Sequence, residues 1–433
     1  MLNKFKKSLL DKDKGEIIKK GFSFFTFSFT GLVAGYFYTF FIAQKFGATV
    51  NGLIGLSFSI FMICSIFGKL GLDLNIVKYY SNSDNVKNDT GIFYISLLKA
   101  SIFSVFISFL VYTFREELCI NLLEKPNLVP YIFWTCLAIP LWVIILICAS
   151  YFRARKQNNI FSFLNASGRF LLTLIFFEIL SLYSSNDIIT IQAHFYALLV
   201  LAIFSLISVV TSIKKINFKT TNNSWSFLRA SFPMMLSSTI IILLGWIDTF
   251  ILGIFEDEAV VGIYTIALKI ATLTSFSLQA INSILAPKIA KAYDEQDLDL
   301  FKSLVKFSTK LNFFITLIIV TGIIMFSEFA LGLFGEEFKE GSVLLIILCV
   351  GQFINSFSGS VGIILQMTGN QKFFRNIVFL SLILNILLNL ILTPYFKAVG
   401  VAIATVISMA MWNIIGSVYL KRKLNLVTYY QYK

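Results

Sequence analysis

The sequence predicts an all-α integral membrane protein, and three features of the chain support that fold class. Apolar runs of about 20 residues, the length that a helix needs to cross a bilayer, recur along the 433 residues. Hydrophobic residues make up 57% of the chain and charged residues 14%, whereas soluble domains average about 45–50% and about 25%. The basic residues cluster at the ends of the apolar runs, which is typical of helical membrane proteins.

The first half of the chain contains six of the twelve transmembrane helices that we predict. The first apolar run follows a lysine-rich segment, is too long for a signal-peptide core and has no small-residue cleavage site after it, so we expect it to span the membrane. Polar or charged turns separate the runs that follow. The six predicted helices lie near residues 22–43, 50–72, 92–114, 128–152, 160–182 and 190–212.

A polar linker at about residues 213–230 separates these helices from six more in the second half. The turn after the first helix of this half is purely acidic, at residues 255–261. The six predicted helices of the second half lie near residues 231–254, 262–286, 305–326, 341–367, 373–395 and 398–420.

The two halves of the sequence look like a weak internal repeat. A shift of 210 residues places Gly52 on Gly262 and Lys78 on Lys288, and the predicted helices match in pattern. Six helices is an even number, so both halves have the same orientation, as in a parallel repeat about an axis along the membrane normal. We therefore predict an N-lobe of residues 1–218, a C-lobe of residues 219–433 and a central cavity between two six-helix bundles.

Basic residues are distributed very unequally between the predicted loops, and this predicts the orientation. The predicted outer loops carry only Lys45, Arg115, Lys125, Lys339 and Lys397. The predicted cytoplasmic segments carry Lys4, Lys6, Lys7, Lys12, Lys14, Lys19, Lys20, Lys78, Lys87, Arg153, Arg155, Lys156, Lys214, Lys215, Lys219, Arg229, Lys288, Lys291, Lys302, Lys306, Lys372, Arg375, Lys421, Arg422 and Lys423. We expect both termini in the cytoplasm, and we attribute the net charge of +13 to topology, not to nucleic-acid binding.

The cysteines and the single histidine give no sign of a metal site. The five cysteines are scattered without metal-ligand spacing, and we expect them to be small apolar packing residues. We expect the one histidine, His194, near the start of a helix, to lie at the membrane interface and not to relay protons.

Two opposite charges are predicted at matching depth on neighbouring helices. Asp248 and Lys269 each lie six or seven residues from the acidic turn, which is roughly 10 Å inside the hydrocarbon. A lone charge at such depth costs about 2.5–3.5 kcal/mol or more, so the two either pair or face water. Lys269 also belongs to a polar stripe at helical spacing, which indicates an internal cavity and therefore transport: Thr265, Lys269, Thr272, Gln279 and Ser283.

Five stretches of the sequence form a distinctive pattern: Ile247 to Gly253, Val261 to Tyr264, Ala267 to Ile270, Phe152-Arg153-Ala154, and a pattern from Asn385 and Asn389 to Thr405. They resemble bacterial polysaccharide exporters of the O-antigen flippase (Wzx) type, in the superfamily that includes the multidrug (MATE) transporters and the lipid II flippases. The resemblance covers nearly the whole chain.

The resemblance implies a V-shaped, MATE-like pair of six-helix bundles and a particular substrate. The substrate would be an undecaprenyl-diphosphate-linked oligosaccharide of the O-antigen or capsule type, moved across the bacterial inner membrane by alternating access. The implied partners are membrane lipids, a polysaccharide polymerase and the chain-length machinery.

A diphosphate requires cations in a cavity of low dielectric constant, and the predicted helices contain few. We predict that Arg169, Lys269, Lys99 and Lys69 bind it, with the amides of Gln352 and Asn355 binding sugar hydroxyls. The alternative for the charges is internal ion pairing, with Asp248 and Lys269 as the first candidate pair. For Asn385 and Asn389 we favour hydrogen bonding between helices.

No nucleotide-binding loop or catalytic constellation is present in the sequence, so we expect a transporter without an enzymatic cofactor. Membrane potential is one possible drive, and coupling to Na⁺ or H⁺ at Asp248 is the other. The alternatives are a cation-coupled multidrug exporter of the same fold and a membrane-embedded polymerase or ligase. Buried bases outnumber buried acids, which disfavours the exporter, and the outer loops are short, which disfavours the enzyme.

Overall fold

The computed structural model describes residues 12–81, 89–213, 218–220 and 223–430, and the side chains of 12–25 and 237–238 are not described. The predicted loop lysines Lys87, Lys214 and Lys215, and the first lysines of the chain, therefore lie outside the described residues. Fifteen α-helices occur in this part of the chain, without a β-strand.

The helices are, in chain order, α1 (Lys12–Gly68), α2 (Leu72–Tyr80), α3 (Gly91–Thr113), α4 (Val129–Ala154), α5 (Asn158–Ser162), α6 (Gly168–Tyr183), α7 (Ile189–Ile213), α8 (Ser224–Phe255), α9 (Glu258–Thr272), α10 (Ser275–Asp294), α11 (Leu298–Met325), α12 (Ser327–Gly332), α13 (Ser342–Ser358), α14 (Val361–Met367) and α15 (Gln371–Leu424). Short π-helical turns occupy Glu117–Leu122 and Phe163–Ser167, and 3₁₀ turns occupy Pro126–Leu128 and Glu336–Gly341.

Eight helical segments within the described ranges are long and apolar enough to cross a membrane, and two bent pairs raise this to ten. The two longest helices are interrupted near their middles. In α1 the backbone breaks at Gly47 (φ 78°, ψ −170°), and in α15 it breaks at Lys397 (φ 55°, ψ −141°). Both breaks coincide with turns that the sequence predicts between consecutive membrane helices.

Three predicted helices differ from the structure. The span predicted at 262–286 consists of α9 and α10, which meet at a bend of 43°. The polar stripe that includes Lys269 is therefore divided between two helices. The span predicted at 341–367 is broken at Gly359 (φ 76°), so Gly362 and Gln366 lie on a separate helix from Gln352. The span predicted at 231–254 is likewise a bent pair, Ser224–Leu236 and Thr239–Phe255.

The chain forms two compact units. The first contains residues up to 42 and residues 57–242, and the second contains residues 43–56 and residues from 243 onward. In the first unit α4 packs against α2, α3 and α7. Its apolar core contains Phe61, Trp142 and Tyr151. In the second unit α13 packs against α9, α11 and α15.

Two glycines of the second unit allow very close contact between α1 and α9. A Cβ on Gly52 would lie 1.7 Å from the carbonyl oxygen of Glu258, and a Cβ on Gly262 would lie 2.0 Å from that of Ala48. The shift of 210 residues that relates the halves of the sequence places Gly52 on Gly262 and Ala48 on Glu258. The two contacts therefore correspond to each other. Reciprocal contacts of this kind are what a local twofold relation between two segments produces.

We expect Gly52→Ala to destabilise the protein by about 1–3 kcal/mol, because the backbone of Glu258 cannot yield to the added methyl group. Gly322→Ala is the matched control, since no other atom lies within 4 Å of the Cβ that it would add. The apparent melting temperature in detergent should fall for the first variant and stay unchanged or rise for the second. An unchanged melting temperature for Gly52→Ala would contradict the close contact.

Candidate functional site

Arg169 is a buried cation of the first unit, with 6% of its surface exposed. It is the second residue of α6, immediately after the π-helical turn Phe163–Ser167. Its guanidinium carbon lies 4.8–5.2 Å from the centroids of four aromatic rings: Phe58, Phe61, Trp142 and Phe170. Cation–π contacts stabilise a desolvated guanidinium without adding a negative charge.

The polar partners of Arg169 are also neutral. Its Nε donates to Nε2 of His194 at 3.0 Å, and its Nη1 lies 3.7 Å from Sδ of Met62. No carboxylate lies within 4 Å of Arg169 among the described residues. The guanidinium of Arg169 therefore has no ion-pair partner among the described residues.

The interfacial location predicted for His194 is wrong. His194 is buried, with 1% exposed, and it packs against the rings of Phe58 and Phe61 at 4.8 and 5.1 Å. The prediction placed it by its distance from the start of a helix, but the packing of α7 against α6 directs it towards Arg169. Its Nδ1 is buried without a hydrogen-bond partner in the described structure.

Lys69 and Lys99 have different surroundings from Arg169. Lys69 is buried, and its Nζ lies 2.6 Å from the carboxylate of Asp73, four residues further along the chain and across the turn between α1 and α2. Lys99 donates to Oγ of Ser224 at 3.0 Å and lies 4.0 Å above the ring of Trp225. Lys69 is thus neutralised by a partner that the sequence analysis missed, although the spacing of four residues was a signal for it.

Asp248 is buried in the second unit, where its carboxylate accepts two hydrogen bonds. Nδ2 of Asn389 donates to its Oδ1 at 2.7 Å, and Oγ1 of Thr405 donates to its Oδ2 at 2.6 Å. Nδ2 of Asn389 also lies 3.1 Å from Oδ1 of Asn385. The two asparagines are completely buried, and Oδ1 of Asn389 has no partner in the described structure.

The proposed ion pair between Asp248 and Lys269 is wrong for this structure. No contact of 4 Å or less joins them among the ion pairs of the described residues. Helix α15 brings both an amide and a hydroxyl to this carboxylate of α8 instead. Lys269 lies half-buried in the last turn of α9, just before the bend to α10.

The predicted sugar-binding amides lie on α13. Gln352 is buried with 8% exposed, and Asn355 accepts a hydrogen bond at 3.0 Å from Nδ2 of Asn413. Asn385 and Asn389 were expected to form hydrogen bonds between helices. Asn389 donates to the carboxylate of Asp248 on α8, and Nδ2 of Asn385 donates to Oγ of Ser408 at 3.3 Å, across the break of α15.

The structure thus places some of the predicted site residues in one cluster and the others in separate surroundings. Asp248, Asn385 and Asn389 form one cluster, to which it adds Thr405. Arg169 has a separate environment within the first unit, distinct from those of Lys99 and Lys69. Thr405 was part of the sequence pattern that carries the family resemblance, whereas nothing in the sequence connected His194 to Arg169. The role of the predicted residues in binding substrate stays a prediction.

The fold matches solved transporter structures. The lipid II flippase MurJ in an inward closed conformation superimposes with a TM-score of 0.77 at 17% identity, over 92% of this chain and 87% of that chain. An inward-facing MATE-family multidrug transporter superimposes with a TM-score of 0.74 at 16% identity, over 91% and 94% of the two chains. Together with the apolar helices, the membrane-protein relatives define a multi-pass membrane protein.

The sequence comparisons identify the family within that class. The model of the polysaccharide biosynthesis protein family matches residues 17–293, and the chain belongs to this family. A MatE family model matches residues 233–391. The resemblance to polysaccharide exporters of the superfamily that contains MATE and MurJ is confirmed.

The curated relatives are matched over part of their length. The probable low-salt glycan biosynthesis flippase Agl15 of Haloferax volcanii is 29% identical over 53% of this chain and 49% of its own length. The uncharacterized membrane protein MJ1375 of Methanocaldococcus jannaschii is 31% identical over 51% and 55%. The probable flippase AglR of Haloferax volcanii is 27% identical over 40% and 37%. The chain thus spans about half the length, or less, of these relatives.

We expect Lys69→Met to destabilise the protein by about 3–5 kcal/mol, because it leaves the carboxylate of Asp73 buried without its partner. The double variant Lys69→Met/Asp73→Leu removes both charges and should recover most of the loss. Apparent melting temperatures of the single and double variants measure this coupling. Additive losses, with the double variant less stable than either single variant, would contradict a stabilising pair.

Proposed function

We propose that this chain is a flippase that moves a lipid-linked oligosaccharide across a membrane, without enzymatic chemistry. Family membership and the printed function of the glycan flippase relatives support the substrate class. The observation that carries the proposal is the charge of Arg169, which is enclosed among aromatic rings and has no acidic partner in the described structure. Such a cation attracts the diphosphate that links a lipid to its glycan.

The proposed chemistry follows from the shape of the guanidinium. Its planar fork can donate two parallel hydrogen bonds to a phosphate, which an ammonium group cannot match in geometry. The first unit would have to open around Arg169 during transport, because only 6% of the side chain is exposed here. This requirement fits alternating access, in which a site opens to one side of the membrane at a time.

The finer parts of the proposal rest on sequence patterns. We propose twelve transmembrane helices in two six-helix bundles around a central cavity, counting α1 and α15 as two helices each because of their breaks at Gly47 and Lys397. The excess of lysine and arginine in alternate loops supports cytoplasmic termini. An O-antigen or capsule glycan on undecaprenyl diphosphate, the bacterial inner membrane and a polymerase partner remain predictions from the family resemblance.

We further propose that Na⁺ binds at Asp248 and contributes to the drive. A buried carboxylate requires a counter-charge, and here its hydrogen-bond partners are neutral. The residues fit a hard monovalent cation, since Asp248, Asn385, Asn389 and Thr405 all supply side-chain oxygens and Oδ1 of Asn389 lacks a partner. A bound Na⁺ would neutralise the carboxylate in its apolar surroundings. A proton is the alternative counter-charge.

A cation-coupled multidrug exporter is the second candidate. The match of the MatE model to residues 233–391 favours it, as does the buried acid within that range. Arg169 disfavours it, because an enclosed cation repels the organic cations that such an exporter is expected to carry.

The first experiment measures headgroup translocation of a fluorescent undecaprenyl-diphosphate oligosaccharide in proteoliposomes. We expect Arg169→Gln to reduce the rate about ten-fold or more, because a charge-assisted hydrogen bond contributes about 1.5–3 kcal/mol. Arg155→Gln, which removes an exposed arginine of the same unit, should retain the rate.

Size-exclusion elution and the melting temperature establish that each variant is folded. Full activity of a folded Arg169→Gln variant would reduce Arg169 to a structural role. Cation-dependent dye export by the wild type, without glycan translocation, would support the multidrug exporter instead.

The cation site is tested separately by thermal stability. We expect NaCl to raise the melting temperature of the wild type relative to choline chloride at equal ionic strength, because a cation bound to the folded state stabilises it. Asp248→Asn should abolish this difference, and Asp294→Asn, which changes an exposed acid of the same unit, should preserve it. Stabilisation by lower pH without any dependence on Na⁺ would favour a proton at Asp248.

A further inference from the structure

A basic pocket lies in the second unit, away from the Asp248 cluster. It has a volume of about 200 Å³ and lies between the first turns of α11 and the segment that follows α15. It is lined by Lys302, Lys306, Thr309, Lys310, Asn425, Leu426, Val427, Tyr429 and Tyr430. The volume is below the roughly 300–1,000 Å³ of typical small-molecule pockets, which suits a single headgroup.

Three lysines at intervals of four residues form one wall of this pocket. Residues at this spacing lie on the same face of a helix, where like charges repel each other. Among the ion pairs of the described ranges, none includes Lys302, Lys306 or Lys310. The row therefore concentrates positive charge without compensation from a neighbouring carboxylate.

The opposite wall is the segment that follows α15, and it is fixed in place. Asn425 adopts a left-handed conformation (φ 46°, ψ 42°) that ends the helix. The carbonyl oxygen of Thr428 then accepts a hydrogen bond from Oγ1 of Thr309 at 2.9 Å. The ring of Tyr430 stacks on that of Phe313 with centroids 4.3 Å apart. The pocket is therefore built by specific contacts and not by a loose chain end.

This contact also explains the glycine that follows α13. A Cβ at Gly359 would lie 2.6 Å from the carbonyl oxygen of Thr428, and the φ of Gly359 is 76°. A side chain at this position would push the segment away from α11 and open the pocket. The break in the predicted tenth helix thus makes room for the wall of the pocket.

The location of the pocket indicates a lipid ligand. Lys302, Lys306 and Lys310 lie around the start of the membrane helix predicted at 305–326. The same helix exposes a row of large apolar side chains that begins among these lysines and continues beyond them, with Phe307 67% and Ile318 72% exposed. A ligand with a negative headgroup and apolar chains matches this arrangement, whereas a free anion would use only the lysines.

We propose that this pocket binds the phosphate headgroup of an anionic glycerophospholipid from the adjacent leaflet. The lysine row neutralises the phosphate, and the acyl chains lie along the exposed apolar face of α11. The site is independent of the transported substrate, because it lies on a different set of residues from Arg169 and Asp248. The lipid would hold the segment after α15 against α11 and α13.

The test is native mass spectrometry of the detergent-solubilised full chain with phosphatidylglycerol, phosphatidylcholine or inorganic phosphate. We expect phosphatidylglycerol to bind more tightly than phosphatidylcholine. Each single substitution of Lys302, Lys306 or Lys310 by Gln should weaken phosphatidylglycerol binding about five-fold, which corresponds to about 1 kcal/mol for each basic residue near an anionic lipid. The triple variant K302Q/K306Q/K310Q should lose the preference for phosphatidylglycerol.

The matched control is K288Q/K372Q/K421Q, which removes the same charge from exposed lysines of the same unit outside the pocket. It should retain the preference for phosphatidylglycerol. An equal loss in both triple variants would overturn the proposal, as would equal binding of the two lipids by the wild type. Inorganic phosphate that displaces phosphatidylglycerol at comparable concentration would assign the pocket to a free anion and overturn the lipid assignment.

Discussion

The cost of enclosing a charge away from water is the constraint on which the internal structure of this protein depends. The chain meets it in three ways. Arg169 is surrounded by aromatic rings and a neutral imidazole, Lys69 is paired with a carboxylate, and Asp248 accepts hydrogen bonds from an amide and a hydroxyl. These arrangements differ in whether an opposite charge neutralises the enclosed group. The Lys69 pair is neutral overall, whereas no ion pair of the described residues includes Arg169 or Asp248, which lie in separate units.

Close helix contacts and broken helices make these arrangements possible. Gly52 and Gly262 let two helices of the second unit approach each other until no Cβ fits between them. The π-helical turn before Arg169 and the bend after Lys269 interrupt helices next to charged residues. In a membrane protein, such interruptions are tolerated where neighbouring protein groups satisfy the freed backbone groups. Irregular backbone therefore lies next to Arg169 and Lys269.

The family and the fold support transport in different ways. The family match over residues 17–293 relates the chain to polysaccharide biosynthesis. The likeness to MurJ and MATE structures, at 16–17% identity, concerns the fold alone. The choice between glycan and multidrug transport depends on the site residues, and the enclosed positive charge of Arg169 is the feature that favours an anionic substrate.

The sequence by itself determined the all-α membrane class, the apolar segments and the identity of most enclosed charges. These features depend on the transfer free energy of each residue and on spacing within one helix, which are local properties of the chain. Only the tertiary structure decided which groups contact these enclosed charges. Thr405 lies 157 residues from Asp248 in the chain, and His194 lies 25 residues from Arg169. Helix packing brings these groups together, because the direction of each side chain depends on kinks and bends that periodicity does not encode. For the same reason equal depth could not decide whether Asp248 pairs with Lys269, and the structure shows hydrogen bonds from α15 to Asp248 instead.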